Sequence, residues 1–334
     1  MTELLDRWFV IINPVAGAGH GLEDFPQIEK QLRCNNIAHD SVFTEHKSHA
    51  VELTVKAVND GYRRIIVVGG DGTFNEVVNG LYIQQTCAPT DVLLAVIAVG
   101  TGNDWIRMFG IPRNYGSAIK AIAEGNSFLQ DVGKIRFTEA HYQQYRYMAN
   151  VAGMGFDAQV ISIYNHLKLK GKSGSWLYPF SILKGYFSFK SKGVQITADD
   201  KTVYRDLLFS LAIGICKYNG GGLQQLPSAV ANDGLLDMTI IKPIHWWNIL
   251  FRLRKLVNGE IYDIGHIMHF QARKIHIESA PALLLETDGE LQGETPIDIE
   301  IIPNGIRVVV TKQFLEKESS LSAQRILSSF RVCK

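Results

Sequence analysis

The stretch Val67–Gly80, reading VVGGDGTFNEVVNG, decides the fold. It continues an apolar run, Arg64-Ile65-Ile66-Val67-Val68, that stops at a glycine pair, and a helix-like pattern starts at Thr73. This predicts a buried strand, a glycine turn and a helix N-terminus. Gly69, Gly70 and Gly72 carry no side chains, so backbone N–H groups there can approach an anion closely. Thr73 is placed to cap the helix, and Glu76 to complete a capping box. Asp71 sits inside the turn. A carboxylate repels phosphate unless a cation or a transferable proton accompanies it. The local chemistry therefore points to a metal-assisted nucleotide site. An ordinary strand–turn–helix with Asp71 as a turn former is the plainer alternative.

Two more junctions of the same kind flank it. Trp8–Ile12 reads as a first strand, followed by Asn13-Pro14-Val15-Ala16-Gly17-Ala18-Gly19-His20-Gly21 and a helical stretch from Leu22. This loop lacks the Lys-Ser/Thr of a P-loop, and its glycines do not fit the dinucleotide fingerprint. Val92–Val99 is a third apolar strand, ending in Gly100-Thr101-Gly102-Asn103-Asp104 before a helical Trp105–Phe109. Three strand-to-glycine junctions in one domain should converge at the carboxyl ends of a parallel sheet, where open α/β sheets bind ligands. Their backbone N–H groups are suited to nucleotide phosphates.

In order and spacing, NPVAGAG, GGDGTFNEVVNG and GTGND resemble the diacylglycerol kinase catalytic-domain family, shared by bacterial lipid kinases and sphingosine kinases. The resemblance continues through Asn150–Ala158 (NVAGMGFDA), Gly220-Gly221-Gly222, Pro227, Asp233–Asp237 (DGLLD) and Glu286–Glu290 (ETDGE), and spans residues 8 to 312. GGDGT alone is shared with NAD kinases; the NEVVNG extension with the later DGLLD and DGE is more specific. The resemblance implies ATP and Mg2+ as cofactors. It makes Asn13, Pro14, Gly17, Gly19, Thr44, Gly69, Gly70, Asp71, Gly72, Thr73, Phe74, Asn75, Thr101 and Glu290 nucleotide contacts. It assigns catalytic roles to Asp288, as general base for the acceptor hydroxyl, and to Asp71. It also implies an aspartate–water–magnesium network of Asp71, Asp104 and Asp233 joining two domains. In that network Asp233 and the carbonyls of Val230 and Leu235 hold a structural ion, and a second magnesium travels with ATP. On the residues alone, Thr44 also reads as a strand-end cap, and Asp233 and Asp288 as Asp-Gly turns.

The remaining features bound these expectations. The chain has 334 residues, 46% of them hydrophobic, and a net charge of +1, so no global field favours nucleic acid. Cys34, Cys87, Cys216 and Cys333 show neither metal spacing nor a disulfide framework. No signal peptide and no membrane-length apolar run are expected. Strands near 8–12, 39–44, 64–68 and 92–99, with helices near 22–34, 47–60, 73–84 and 115–124, predict an α/β nucleotide-binding domain over 1–130 with a parallel sheet. Period-two segments at 145–151, 194–197, 207–216, 236–241, 274–278, 297–302 and 305–310 predict an antiparallel β-sandwich, the substrate domain, over 131–312. Residues 313–334, with an Ile326/Phe330 stripe, are expected by resemblance to pack back on the first domain.

The acceptor is read from one stretch. Between Asp157 and Asp199 there is no acidic residue, while Lys168, Lys170, Lys172, Lys184, Lys190 and Lys192 alternate with Trp176, Tyr178, Phe180, Tyr186, Phe187 and Phe189. That mixture suits the headgroup layer of an anionic membrane. The segment 245–257, apolar on one side and basic elsewhere, is a second candidate, although it equally suits a core-packed helix. The expectation is a lipid kinase, cytoplasmic and transiently membrane-associated, acting on a membrane lipid with diacylglycerol as default. Alternatives are a sphingoid-base kinase, with Asp157 as partner for the amine, and a soluble-metabolite kinase such as NAD kinase. Intact Asp71, Asp104, Asp233 and Asp288 argue against a non-enzymatic binder. The oligomeric state, a homodimer included, stays open.

Overall fold

Apolar residues on both faces of three short runs, Trp8–Ile12, Arg64–Gly69 and Leu93–Ala98, make buried parallel strands, as both-sided burial requires. The computed structural model describes residues 2–100, 102–138, 144–170, 172, 176–245 and 255–321. In chain order the first elements are α1 (Thr2–Leu5), β1 (Trp8–Ile12), α2 (His20–Glu23), α3 (Phe25–Cys34), β2 (His39–Phe43), α4 (His49–Asp60), β3 (Arg64–Gly69), α5 (Asp71–Ile83), β4 (Leu93–Ala98), α6 (Asp104–Met108) and α7 (Tyr115–Glu124). The sheet runs β2-β1-β3-β4, all parallel, with Phe9 level with Ile65 and Ile65 level with Leu94. Val10, Ile12, Ile66, Val68, Ala95 and Ile97 form one face of the core, against Ile28 and Leu32 of α3 and Ile119 and Ile122 of α7.

The chain divides into two units, Met1–Leu129 with Ile306–Lys334, and Gln130–Gly305. The return to the first unit thus begins at Ile306, not at 313. There Arg307 and Val308 pair in parallel with Leu93 and Leu94 of β4, and Phe314 packs its ring 5.3 Å from Phe109 and 5.2 Å from Phe128. The expected stripe at Ile326 and Phe330 lies outside the described residues. The expected helix 22–34 is two helices meeting at Asp24. Pro26 in the first turn of α3 has no N–H to bond back to the preceding turn, so α3 starts afresh.

The second unit is an antiparallel β-sandwich. Its strands are β5 (Ser127–Phe137), β6 (Gln144–Met148), β7 (Val151–Gly155), β8 (Lys192–Ala198), β9 (Lys201–Leu208), β10 (Ser210–Gly214), β11 (Tyr218–Asn219), β12 (Leu223–Gln224), β13 (Leu236–Ile241), β14 (Ile267–Ala272), β15 (Lys274–Ala280), β16 (Leu284–Thr287), β17 (Glu290–Glu294) and β18 (Ile297–Val309), the last crossing into the first unit at Ile306. One sheet orders β18-β15-β8-β9, with β5 pairing β18 and β6; the other orders β14-β13-β10-β7-β16-β17. Four expected strands are redrawn. The expected strand 145–151 is split between β6 and β7, which lie in different sheets, because the Asn150 carbonyl turns aside to accept from Ile215 N–H. The expected strand 207–216 breaks at Phe209, whose carbonyl accepts from Phe156 N–H. The expected pair 297–302 and 305–310 is the single strand β18, which absorbs the left-handed Asn304 (φ 51°) without ending.

Two helices in this unit were not expected: α8 (Phe156–Leu169) and α9 (Leu177–Ser188). α9 buries Leu177, Ser181 and Gly185, a face with two small residues. A Cβ at Gly185 would lie 3.2 Å from Val160 Cγ2 and 3.4 Å from Phe156 of α8.

In the first unit Gly80 has the same role between α4 and α5. A Cβ there would sit 2.6 Å from Thr54 Cβ and 2.8 Å from the Val51 carbonyl oxygen. Gly80→Leu is expected to destabilise the protein by about 1–3 kcal/mol, the usual cost of overpacking, read as a lowered urea midpoint at unchanged slope.

Candidate active site

In the first unit, the three glycine loops meet at the carboxyl end of the sheet. The first loop joins the second where Asn13 Nδ2 donates to Thr73 Oγ1 at 2.9 Å. It abuts the third at Gly17, where an added Cβ would lie 2.1 Å from the Val99 carbonyl oxygen. Gly17, Ala18 and Gly19 all have positive φ (60°, 63° and 108°), so only small residues fit there. Pro14 lies ahead of them in the loop, and its carbonyl accepts from Leu22 N–H. The second and third loops touch backbone to backbone, since a Cβ on Gly100 would be 2.8 Å from Gly70 Cα. Thr44 ends β2 at the same edge, its N–H donating to Ile12 carbonyl at 2.8 Å. Thr101 lies outside the described residues.

The helix start differs from the sequence reading. α5 begins at Asp71 with Gly70 as its cap, so Thr73 lies inside the first turn and the expected capping box is absent. Glu76 instead accepts from Ser48 N–H (2.9 Å) and Ala50 N–H (3.2 Å), capping α4 from outside. Gly69 lets the strand close on Thr73: a Cβ there would be 2.8 Å from Thr73 Oγ1. Phe74 is buried, with its ring 4.2 Å from Trp105. Asn75 is buried too and accepts from Asn79 Nδ2 at 3.0 Å. The side chains of these two residues serve packing. What the turn offers a phosphate is the backbone around Gly70 and Gly72.

Asp71 has its own donors. Its carboxylate accepts from Asp104 N–H (3.1 Å) and Trp105 N–H (3.0 Å), the opening amides of α6. A helix N-terminus stabilises that charge, so the turn tolerates the carboxylate without a cation at every moment. Asp104 is buried, with Oδ1 3.4 Å from Arg107 Nε. The carboxylates of Asp71 and Asp104 converge on Gly102, where an added Cβ would be 3.4 Å and 3.6 Å from their Oδ2 atoms. Hard carboxylate oxygens in one spot suit Mg2+. Asn103, with φ 52°, buttresses the turn by donating to the Gly100 carbonyl.

In the second unit, Asp233 is exposed, and its Oδ1 accepts from Leu235 N–H at 3.0 Å. Val230, three residues earlier, is buried. The loop borders a cleft of about 460 Å³ lined also by Gly234, Arg273, Glu300 and Asn304. A carboxylate beside backbone carbonyls is a donor set that fits Mg2+. Sequence reasoning missed the residue that builds this loop. Asp131 is fully buried and accepts from Gly234 N–H and Asn304 N–H, each at 2.7 Å. Burial pushes its carboxyl pKa up, against these two hydrogen bonds. An Asp opening an Asp-Val-Gly stretch at the change of domain was the available signal.

Asp288 and Gly289, with φ 51° and 82°, form the two-residue turn between β16 and β17. Positive φ at both positions is the type I′ pattern that Asp-Gly favours. Asp288 and Glu290 are half-buried. Beneath them Glu286 is buried, and this also went unseen in the sequence. Burial pushes its pKa up to about 8, and the neighbouring Asp157 charge adds to the rise. Asp157, pushed up to about 6 by burial, has Oδ2 occupied by Ser210 Oγ (2.9 Å) and Gln225 Nε2 (3.2 Å).

One further cluster carries no metal assignment. The ligand atoms of His46, His49 and Glu52 lie within 4.8 Å of one another. His49 Nδ1 accepts from Glu45 N–H at 2.9 Å, so in the neutral ring Nε2 holds the proton and offers no lone pair to a metal.

Comparison with known proteins converges on these elements. The diacylglycerol kinase catalytic domain matches residues 7–135, and the YegS C-terminal NAD kinase β-sandwich-like domain matches residues 150–310. The chain belongs to the diacylglycerol kinase catalytic-domain family. It is 31% identical to a probable YegS-like lipid kinase of Shewanella frigidimarina (strain NCIMB 400), over 78% of this chain and 80% of that one. It is 28% identical to YtlR of Bacillus subtilis (strain 168), named a candidate lipid kinase, over 91% and 99%. A diacylglycerol kinase of Staphylococcus aureus (strain MRSA252) is 27% identical over 92% and 94%. A crystal structure of a diacylglycerol kinase from Bacillus anthracis str. Sterne shares the fold, with TM-score 0.67, 23% identity and 92% and 98% coverage. The chain is a kinase of the lipid-kinase type.

Asp131→Ala would strand two buried amides, each costing about 1–3 kcal/mol. A loss of that order in urea-denaturation stability is expected, with smaller loss in Asp131→Asn, whose carbonyl can still accept from one amide.

Proposed function

We propose that this kinase transfers the γ-phosphoryl group of ATP, with Mg2+, to the hydroxyl of a membrane lipid, with diacylglycerol as the acceptor favoured. The observation that carries the ATP reading is the convergence of three glycine-rich loops, with Asp71 and Asp104 among their residues, at one sheet edge. Phosphoryl transfer needs little covalent work from a protein, and positioning and charge neutralisation dominate. Backbone N–H groups of the Asn13–Gly19 and Gly69–Asn75 loops would hold the nucleotide phosphates. Mg2+ on Asp71 and Asp104 would neutralise charge developing on the phosphates, and a structural ion would sit at Asp233 with the carbonyls of Val230 and Leu235. Asp288, presented by its turn, takes the acceptor's proton. Glu290 lies on the same hairpin and is read as a nucleotide contact. Incubating the protein with labelled ATP and either total lipid extract, purified diacylglycerol, sphingosine or NAD tests the reading. Label in NAD alone would refute it.

The membrane reading rests on α9. Trp176, Phe180, Leu183 and Phe187 are 49%, 42%, 59% and 73% exposed, and their spacing of four, three and four puts them on one helix face. Leu169, at the end of α8, is 87% exposed. Lys168, Lys170, Lys172, Lys184 and Lys190 are exposed around them, in a stretch without acids. An apolar stripe ringed by lysines suits the interface of an anionic bilayer, where each basic residue contributes on the order of 1 kcal/mol. Two members of the sequence-read set have other roles. Phe189 packs on Phe156 and Phe209, and Lys192 Nζ donates to the Ala282 carbonyl at 2.9 Å. In the second candidate segment, residues 246–254 lie outside the described residues.

Two outcomes are expected. Asp288→Asn keeps ATP affinity and thermal stability but lowers turnover by about 100-fold or more, the usual scale of general-base catalysis; near-normal turnover in a single-turnover assay would reject Asp288 as base. The triple change Phe180→Ser, Leu183→Ser, Phe187→Ser, like Lys168, Lys170 and Lys172→Glu, reduces co-sedimentation with anionic vesicles and activity on vesicle-borne lipid. Activity on a short-chain soluble acceptor is spared. Only the lysine-dependent part of binding weakens with salt.

A further inference from the structure

Glu286, which is buried, and Asp157, which is half-buried, are two acids that the proposed kinase chemistry does not use, and the fold brings both to one glycine. In the pairing of β16 with β7, Glu286 stands level with Gly153. A Cβ on Gly153 would lie 2.5 Å from Glu286 Oε1 and 3.0 Å from Asp157 Cβ, so the two side chains meet over that bare backbone. Asp157 comes from the first turn of α8, which packs over β7 and β16.

Each carboxyl is tied to different neighbours. Asp157 Oδ2 takes Ser210 and Gln225. Asn219 Nδ2 donates to Gln225 Oε1 at 3.0 Å, and its side chain also bonds Glu286. Glu286 Oε2 accepts from Gly289 N–H at 3.0 Å, inside the turn that carries Asp288. The network therefore runs from β10, through the β11–β12 hairpin, to the catalytic turn.

Two ionised carboxylates cannot share so dry a place, because like charges in low dielectric drive a proton onto one of them. β7 (VAGMG) and β10 (SLAIG) carry no ionisable side chain. The β11–β12 hairpin turns the neutral Asn219 and Gln225 to the pair, and β17 carries Glu290 and Glu294. Asp157 is the group whose charge bears on Glu286.

We propose that Glu286 is a positioning residue: beside the Asp157 charge it keeps its proton and, as a neutral acid accepting from Gly289, fixes the turn that presents Asp288. This rests on Asp288 being the base. The proton stays within the pair; no bond in the substrate is made or broken by it. When both acids ionise, their repulsion acts across Gly153 on β16 and loosens the turn.

The sign of the pH effect comes from the folded state holding the proton up to about pH 8, against an ordinary 4.5. Wild-type stability should fall as pH rises through that window, because the unfolded chain ionises Glu286 freely while the fold does not. Glu286→Gln has no proton to lose. Its melting temperature relative to wild type should therefore climb between about pH 5 and about pH 8.5. A constant difference across that range would overturn the proposal. Asp157→Asn is the second variant: with one acid left, the alkaline loss should shrink, and an undiminished loss would likewise overturn it. This thermal arm uses neither ATP nor lipid, so it stands or falls apart from the kinase reading.

The activity arm reads positioning. Above about pH 8, wild-type kcat should fall at constant KM for ATP, while Glu286→Gln keeps its kcat. An identical alkaline limb in both would place that titration elsewhere and remove Glu286 from control of the turn.

Discussion

The contact between the Gly70 and Gly100 backbones is the constraint on which the first unit's site depends. Gly100 leaves no room for a side chain on the side that faces Gly70. Because the two turns touch, the start of α6 arrives beside Asp71, and its carboxylate accepts two amides of that helix. Thr73 is then released from capping its own helix and instead accepts from Asn13, which draws in the first loop. The result is three loops held against one another, with the Asp71 carboxylate fixed by two amides, and fixed polar groups are what electrostatic catalysis requires.

Three Asp-Gly pairs show how one local signal yields different chemistry. Asp71-Gly72 opens a helix. Asp233 forms a small turn on its own backbone, with Gly234 at φ 73°. Asp288-Gly289 makes a hairpin turn with both residues left-handed. The dipeptide sets only the freedom to turn. The residues after each pair decide the outcome: a helical pattern after Gly72, Leu-Leu leading into β13 after Gly234, and a short partner strand after Gly289. The acids that tune the last two turns are buried: Asp131 comes from β5, and Glu286 from β16, the strand that enters its turn.

The legible part of the sequence was the part set by neighbours in the chain. Strands β1 to β4 fell within a residue or two of expectation, and for β1, β3 and β4 the reason is that continuous apolar runs before glycine loops have few alternative readings. The convergence of the loops was legible for the same reason, since parallel strands put their carboxyl ends on one edge. The capping box at Thr73 and Glu76 matched the pattern yet was not formed. A tertiary partner, the exposed start of α4, offered Glu76 two amides, while Asn13 engaged Thr73. The splits at Asn150 and Phe209 were illegible because each rests on one carbonyl choosing a partner in another strand or helix. Asp131 carried only the signal of its place at the change of domain, and Glu286 carried none, since their importance lies in which amides the fold delivers to them.

The α8–α9 pair was hidden by its own inversion. In an ordinary surface helix, large apolar residues face the core and polar ones face water. In α9 the buried face holds Ser181 and Gly185, because α8 approaches too closely for larger side chains, and Trp176, Phe180, Leu183 and Phe187 are left outside. Averaged around the helix, the pattern loses its contrast, so periodicity gave no signal. The arrangement is costly in water: burying one such side chain is worth about 1.5–3 kcal/mol, and four stand in solvent together. Neighbouring exposed lysines give such a surface a preference for negative charge. On the proposed membrane reading, a headgroup layer would meet both demands at once, taking the rings at the depth of the glycerol backbone and the lysines at the phosphates. The same stripe facing a protein would need a partner apolar along one ridge and acidic on both sides.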